Sequence, residues 1–224
     1  MTETIKILMI DDHPMIIEGY QNTLLFSKKE NQELFIDIAN NCDDAIAFMD
    51  KSVENNEHYD VLFVDISLPP STDGSMSSGE DLAEYARKVL PSAKVIILTM
   101  FNESFRIHNI IKTIDPEGFL IKSDLTSSEL AEAFQQILTA PPYYSSTVNS
   151  FLNKTIQSEI FLDEINRKIL HLLSRGIKTR SLTEHISLSM SAIEKRKKHL
   201  KLVFDVEDGK DETLLNEARK KGYL

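Results

Sequence analysis

The chain has 224 residues, 42% hydrophobic and 27% charged, with a formal net charge of −10. That length exceeds one ordinary domain and falls short of three, and the balance of apolar and charged residues excludes extended disorder. No run of about eighteen apolar residues and no signal-peptide pattern is present, so a cytoplasmic protein without a membrane partner is expected, and the single Cys42 suits a reducing compartment.

The first 140 residues alternate short apolar runs with helical patterns. Ile5–Ile10 reads as a buried strand and Met15–Leu25 as a helix, followed by a strand at Leu34–Ala39 and a helix around Asp44–Lys51. A third strand at Val61–Val64 precedes a helix at Leu82–Val89, and a fourth at Val95–Leu98 precedes a helix at Phe105–Ile111. Phe119–Ile121 is the fifth strand, and Ser127–Leu138 is the last helix of the series, with Thr126 and Glu129 spaced as a capping box. Strands that are apolar on both faces and alternate with helices predict a parallel sheet covered on both sides. The expected fold of residues 1–140 is therefore α/β and doubly wound, with five parallel strands. Pro69–Gly79, rich in Ser, Gly and Pro, interrupts the third βα connection and reads as a flexible loop.

Pro141 and Pro142 stop the last helix, and residues 141–158 read as a linker. From 159 to 224 the pattern is wholly helical, with segments near Asp163–Leu173, Thr179–Ile186, Ser189–Phe204 and Asp211–Lys221. Charge divides along the same line. Residues 159–224 carry 14 Lys+Arg and 11 Asp+Glu, whereas residues 1–158 carry 11 and 24. Between Arg175 and Lys201 eight basic residues face only Glu184 and Glu194. An acidic front domain with a basic helical patch behind it suits a protein that touches double-stranded DNA through one face. The Ser189–Phe204 segment buries Ile193, Leu200, Val203 and Phe204 in this reading and turns Lys195, Arg196, Lys197, Lys198 and Lys201 outward. Preceded by a short helix and the turn Ser187-Leu188-Ser189, it has the layout of a helix-turn-helix. Lys195, Arg196, Lys198 and Lys201 are the expected phosphate contacts, and Ser191, Glu194 and Lys195 the candidate base contacts.

Ligands of a doubly wound sheet bind beyond the carboxyl ends of the strands. Asp11 and Asp12 follow the first strand, Asp65 ends the third, Thr99 the fourth and Lys122 the fifth. Any one of these is more often a cap or a bland surface residue, but their conjunction on one edge is specific. Three crowded carboxylates call for a hard cation, which with oxygen ligands and water is Mg²⁺. An Asp beside it can act as a nucleophile toward phosphorus. The transferred phosphoryl group spreads its charge over three oxygens, which the metal, the Thr99 hydroxyl and the Lys122 ammonium can each meet.

Met9-Ile10-Asp11-Asp12-His13, Phe63 to Pro69, Ile97-Leu98-Thr99 and Gly118 to Lys122 resemble the signature segments of two-component response-regulator receiver domains, a flavodoxin-like fold, over about residues 4–140. The resemblance implies that Asp65 accepts phosphate from a histidine kinase or phosphotransfer protein. It also implies that Asp11, Asp12, Asp65 and the main-chain carbonyl of Ser67 bind Mg²⁺, and that Phe119 is an aromatic switch turning inward as Thr99 meets the phosphate. Such a protein is a phosphoacceptor with slow self-dephosphorylation rather than a turnover enzyme. Leu170-x-Leu172-Leu173-x-x-Gly176, Leu188 to Lys195 and Ala218 to Leu224 resemble the LuxR/NarL-type helix-turn-helix output domain, which implies DNA binding as a homodimer, at least when phosphorylated.

Departures from these patterns matter. The matching loop glycine, Gly79, stands fourteen residues after Asp65, which implies about six inserted residues next to the site. Met100 and Phe101 follow Thr99 where small residues are usual, and their bulk is expected to narrow water access. In the output region Lys168 replaces an acidic residue, Glu194 stands where a basic one is usual, and Asp205–Glu212 is long and acidic. Two other readings therefore compete: a phosphorylation-controlled interaction or dimerisation module that does not bind DNA, and an enzyme or flavin protein on the same fold, for which no separate pocket signature exists.

Overall fold

The computed structural model describes residues 2–100, 104–157 and 162–224. Two compact units result, the first running in the main to Val148 and the second from Asn149.

In the first unit, strands β1 (Glu3–Ile10), β2 (Gln32–Ala39), β3 (Val61–Asp65), β4 (Lys94–Thr99) and β5 (Gly118–Ile121) alternate with helices α1 (Pro14–Ser27), α2 (Cys42–Glu54), α3 (Gly79–Val89), α4 (Ser104–Ile114) and α5 (Ser127–Thr139). All pairings are parallel. The strand order is 2-1-3-4-5-6, the last member being β6 (Tyr143–Tyr144). A sixth, two-residue strand thus extends the expected five, within the stretch read as linker, and α6 (Ser146–Gln157) follows it directly. Proline ended α5 as the sequence implied, but two tyrosines too few to show an alternating pattern then found the open edge of β5, Tyr143 N–H bonding to Glu117 O at 2.9 Å.

One sheet face packs Ile7, Met9, Phe63, Ile96 and Leu98 against Ile17 and Leu24 of α1 and Leu130, Phe134 and Ile137 of α5. Phe63 stacks on Phe134 with ring centroids 6.3 Å apart. The intervening strand residues Leu8, Leu62, Val64, Ile97 and Phe119 are equally buried and by the strand period of two serve the opposite face. At α5, Thr126 and Glu129 exchange the reciprocal bonds of a capping box.

The inserted loop is more ordered than its composition suggests. Ser71 N–H bonds to Met76 O and Met76 N–H to Ser71 Oγ, both at 2.9 Å. Thr72 donates from its backbone and its hydroxyl to Asp43 on α2, at 3.0 and 2.7 Å. The Ser75 N–H, followed by the Ser71 and Ser75 hydroxyls, holds the Asp73 carboxyl at about 2. Serines that read as flexibility instead satisfy a closed turn.

The second unit holds α7 (Glu164–Ser174), a 3-10 turn (Thr179–Glu184), α8 (Met190–Val203) and α9 (Asp211–Lys220). The expected second helix is 3-10 rather than α, consistent with Thr and Ser side chains that compete for its backbone. Ile169, Leu170, Leu182, Ile186, Ile193, Leu200, Phe204 and Tyr223 form its core. Gly176, at φ +80°, ends α7 with its N–H on Leu173 O.

Candidate functional site

The strand order reverses between β1 and β3, and there the chain leaves a crevice at the carboxyl ends. Asp11 follows β1 and Asp65 ends β3, both nearly inaccessible at 2% and 1%. Burying two carboxylates costs several kcal/mol each unless charge is returned to them. Lys122, immediately after β5, returns it: its Nζ lies 2.6 Å from Asp11 Oδ2 and 2.8 Å from Asp65 Oδ2. Burial pulls the Lys122 pKa down, but the two carboxylates outweigh it and hold the ammonium above the ordinary lysine range. Thr99, also buried, ends β4 in register with Ile121, the residue before Lys122. The Ser67 N–H donates to Asp65 Oδ1 at 3.0 Å, fixing that carboxylate's plane.

The Asp65 backbone is fixed equally tightly. A Cβ built on Gly79 would stand 1.8 Å from the Asp65 carbonyl oxygen, so only glycine allows α3 to start where it does, its N–H on Ile66 O at 3.2 Å. The insertion therefore leaves this approach intact.

Asp12 is about a third exposed, and its buried Oδ1 accepts no hydrogen bond of sound angle although His13 Nδ1 lies 2.7 Å away. Oxygens of Asp11, Asp12 and Asp65 and a nitrogen of His13 all fall within 4.8 Å of one another. Three carboxylates converging, one with an orphaned oxygen, fit a hard divalent cation such as Mg²⁺. Sequence reasoning gave no role to His13, whose ring also sits 3.2 Å from Asp11, nor to Tyr20. Burial first, then the charges of Asp11 and Asp65, push the Tyr20 hydroxyl up to about 12. An aromatic on α1 carries no sequence signal for such a place.

Met100 is 63% exposed and borders a groove of about 360 Å³ with Tyr20, Lys122 and Leu125. Phe101 falls outside the described residues. Phe119 is fully buried, so the candidate switch ring already points inward here.

In the second unit, Ser191, Glu194, Lys195 and Lys198 are exposed on α8, together with Leu202. Lys197, expected outside, is buried at 6%: its Nζ bonds to Asp211 at 2.8 Å and to Thr179 Oγ1. Lys201 pairs with Asp211 at 2.7 Å, and Arg196 with Asp163 at 2.7 Å and with Asn166 at 3.1 Å. Distant acids thus occupy three of the five cations of this helix. Among the described residues, Lys195 and Lys198 have no ion-pair partner.

The family model for the response regulator receiver domain matches residues 7–135. The oxygen regulatory protein NreC of Staphylococcus epidermidis is 24% identical over 208 residues, covering 87% of this chain and 88% of that protein. Among solved structures, two RcsB dimers bound to two parallel DNAs match with a TM-score of 0.64 at 22% identity, over 97% of this chain and 98% of that one. RcsB from Salmonella enterica serovar Typhimurium, bound to promoter DNA in the presence of phosphomimetic BeF3⁻, matches with a TM-score of 0.64 at 21% identity, over 96% and 98%. The similarity in fold therefore extends over both units.

Proposed function

The chain belongs to the response-regulator receiver family, and on that premise we propose that it is a phosphorylation-controlled transcription regulator in which Asp65 is the phosphoacceptor and the helical region 159–224, beyond a 141–158 connection that carries β6 and α6, binds double-stranded DNA. The observation that carries this reading is the single buried ammonium of Lys122 bridging Asp11 and Asp65 at the switch point of the sheet.

An Asp65 carboxylate oxygen attacks phosphorus of a phosphohistidine on a kinase or phosphotransfer protein. The P–N bond breaks, its electron pair returns to the imidazole, and an acyl phosphate forms on Asp65. Mg²⁺ held by Asp11, Asp12, Asp65 and the Ser67 carbonyl would supply positive charge to the attacking carboxylate and the incoming group. Ser67 N–H holds the attacking carboxylate's geometry, and Lys122 and Thr99 would each meet one of the phosphoryl oxygens. The product carries about −1.5 to −2 charge beside Lys122 where the free carboxylate carried −1, and this change, with the added bulk and acceptor oxygens, supplies the difference between the two states of the switch. The protein is a phosphoacceptor with slow self-dephosphorylation, works in the cytoplasm, and pairs into homodimers when phosphorylated.

Acetyl phosphate with Mg²⁺ should add one phosphoryl mass to the wild type and none to Asp65→Asn. Stable uptake by Asp65→Asn would overturn the assignment. A DNA selection with phosphorylated protein should return a two-fold symmetric sequence. The internal pairing of Arg196, Lys197 and Lys201 favours a second reading, a protein-interaction output; phosphorylated protein that enriches no DNA would decide for it.

A further inference from the structure

The backbone on either side of Lys122 is held by residues that follow β6. Before the lysine, Ile121 N–H donates to Ser145 Oγ at 3.1 Å, in a fully buried contact. After it, the same Ser145 hydroxyl donates to Asp124 Oδ2 at 2.7 Å. Thr147 adds two more bonds to this carboxylate, its N–H on Oδ2 at 2.9 Å and its hydroxyl on Oδ1 at 2.8 Å. Ser145 N–H closes the set on Phe119 O at 3.0 Å.

Thr147 stands in the first turn of α6, where backbone N–H groups lack partners within the helix. Asp124 therefore serves that helix as an N-cap supplied from another element, and its negative charge sits at the favourable end of the helix dipole. Burial opposes its charge, but the hydroxyl and N–H donors of Ser145 and Thr147 outweigh it and hold the carboxyl below the usual range. The Ser145 N–H bond to Phe119 O continues the β5–β6 backbone pairing, but none of the side-chain bonds is required by the sheet.

We infer that Asp124, Ser145 and Thr147 form a clamp that positions Lys122 and joins the phosphoacceptor pocket to the first turn of α6. These are positioning residues, acting through Lys122 and touching no phosphoryl oxygen. The inference rests on the reading of Asp65 as phosphoacceptor. A group added to Asp65 displaces the ammonium from Asp65 Oδ2, its 122–124 segment must follow, and that segment is hydrogen-bonded to the head of the helix through which the chain continues toward the second unit. Coupling of this kind is reciprocal: what loosens α6 also alters the hold on Lys122.

Hydrogen exchange on the full chain tests the clamp, with BeF3⁻ and Mg²⁺ as the probe and acetyl phosphate with mass detection as the control for Asp65. Without any probe, Asp124→Asn should speed exchange at Thr147 and Val148 several-fold while the amides of β1 and β3 keep their protection. Thr147→Ala should do the same and Thr147→Ser should restore the wild-type rate, which a general loss of stability would not. With BeF3⁻ bound, exchange at these two amides should change several-fold in the wild type and not in Asp124→Asn. Wild-type rates in Asp124→Asn, or rates at α6 that ignore the probe while the mass control shows a loaded Asp65, would overturn the clamp. A mass control that never shows phosphorylation would overturn the reading of Asp65 instead, and the probe-free comparison would still decide the clamp.

Discussion

The crevice of the first unit and α8 of the second both set lysines against aspartates, and they use them in opposite ways. In the crevice one ammonium is shared by two buried carboxylates, with the His13 ring beside one of them, so charge is concentrated at a single point. On α8 the acids Asp163 and Asp211 each hold cations in place on the helix's inner and flanking sides, and charge is spent on holding α7, α8 and α9 together. The same residue types make a shared buried charge cluster where the topology forces them to converge and a scaffold where it lets each find a separate partner.

Removing the shared cation is the most severe test of that contrast. Lys122→Ala leaves Asp11 and Asp65 buried without their counter-charge, and breaking a buried pair costs about 3–5 kcal/mol. Denaturant unfolding of the first unit should show a loss of that size, with millimolar Mg²⁺ restoring part of it by binding the folded state. Lys197→Ala also removes a buried lysine, but Asp211 keeps Lys201 and is itself part-exposed, so its loss should be smaller. Equal losses would mean that the two regions are not distinct.

Gly79→Ala probes the same crevice through its backbone. The added methyl would collide with the Asp65 carbonyl rather than with a flexible side-chain end, so a cost of about 1–3 kcal/mol is expected, with slower phosphoryl uptake. Unchanged stability and uptake would show that the start of α3 can move freely.

How far each region could be read from sequence follows from this difference. Strand ends are fixed by apolar runs, and a parallel sheet brings its strand ends to one edge, so the grouping of Asp11, Asp65, Thr99 and Lys122 is legible in the sequence alone. Tyr20 and His13 could not, because a helix rotation and a ring orientation decided their places. On α8 the run Lys195 to Lys198 gave the charge but not its use. Lys197 faces inward because Asp211 and Thr179, 14 and 18 residues away, meet it there. The hydrogen bonds of the inserted loop and of β6 are not legible for a related reason: they depend on Asp43 and Glu117, which no local pattern announces.

The division of α8 predicts its behaviour toward DNA. Lys195→Ala and Lys198→Ala should each lower the slope of log affinity against log salt by about 1, as expected for a lost phosphate contact. Lys197→Ala should leave the slope unchanged while lowering the melting temperature. A slope that falls for Lys197 and not for Lys195 would reverse the assignment of inner and outer cations.

The gentlest probe is acid. Burial resists ionisation of Asp211, but hydrogen bonds from Lys197 and then Lys201 outweigh it and hold its carboxyl below the ordinary 3.8. A carboxylate whose pKa falls on folding contributes stability at pH values above its unfolded pKa and loses it as the pH drops through the lower, folded one. The Asp211 contribution should thus be intact at pH 5 and fade below 3.8, a small effect because the pair is part-exposed and screened. Salt should weaken it further, which a contact buried like that of Lys122 would resist. Followed through Tyr223, which packs edge-on against Phe204 in the same core, the second unit of Asp211→Asn should be less stable than wild type at pH 5 and approach it in acid. If the gap instead stayed constant from pH 5 downward, Asp211 would act by shape or hydrogen bonding rather than by charge, and α8 would resemble the crevice less than its ion pairs suggest.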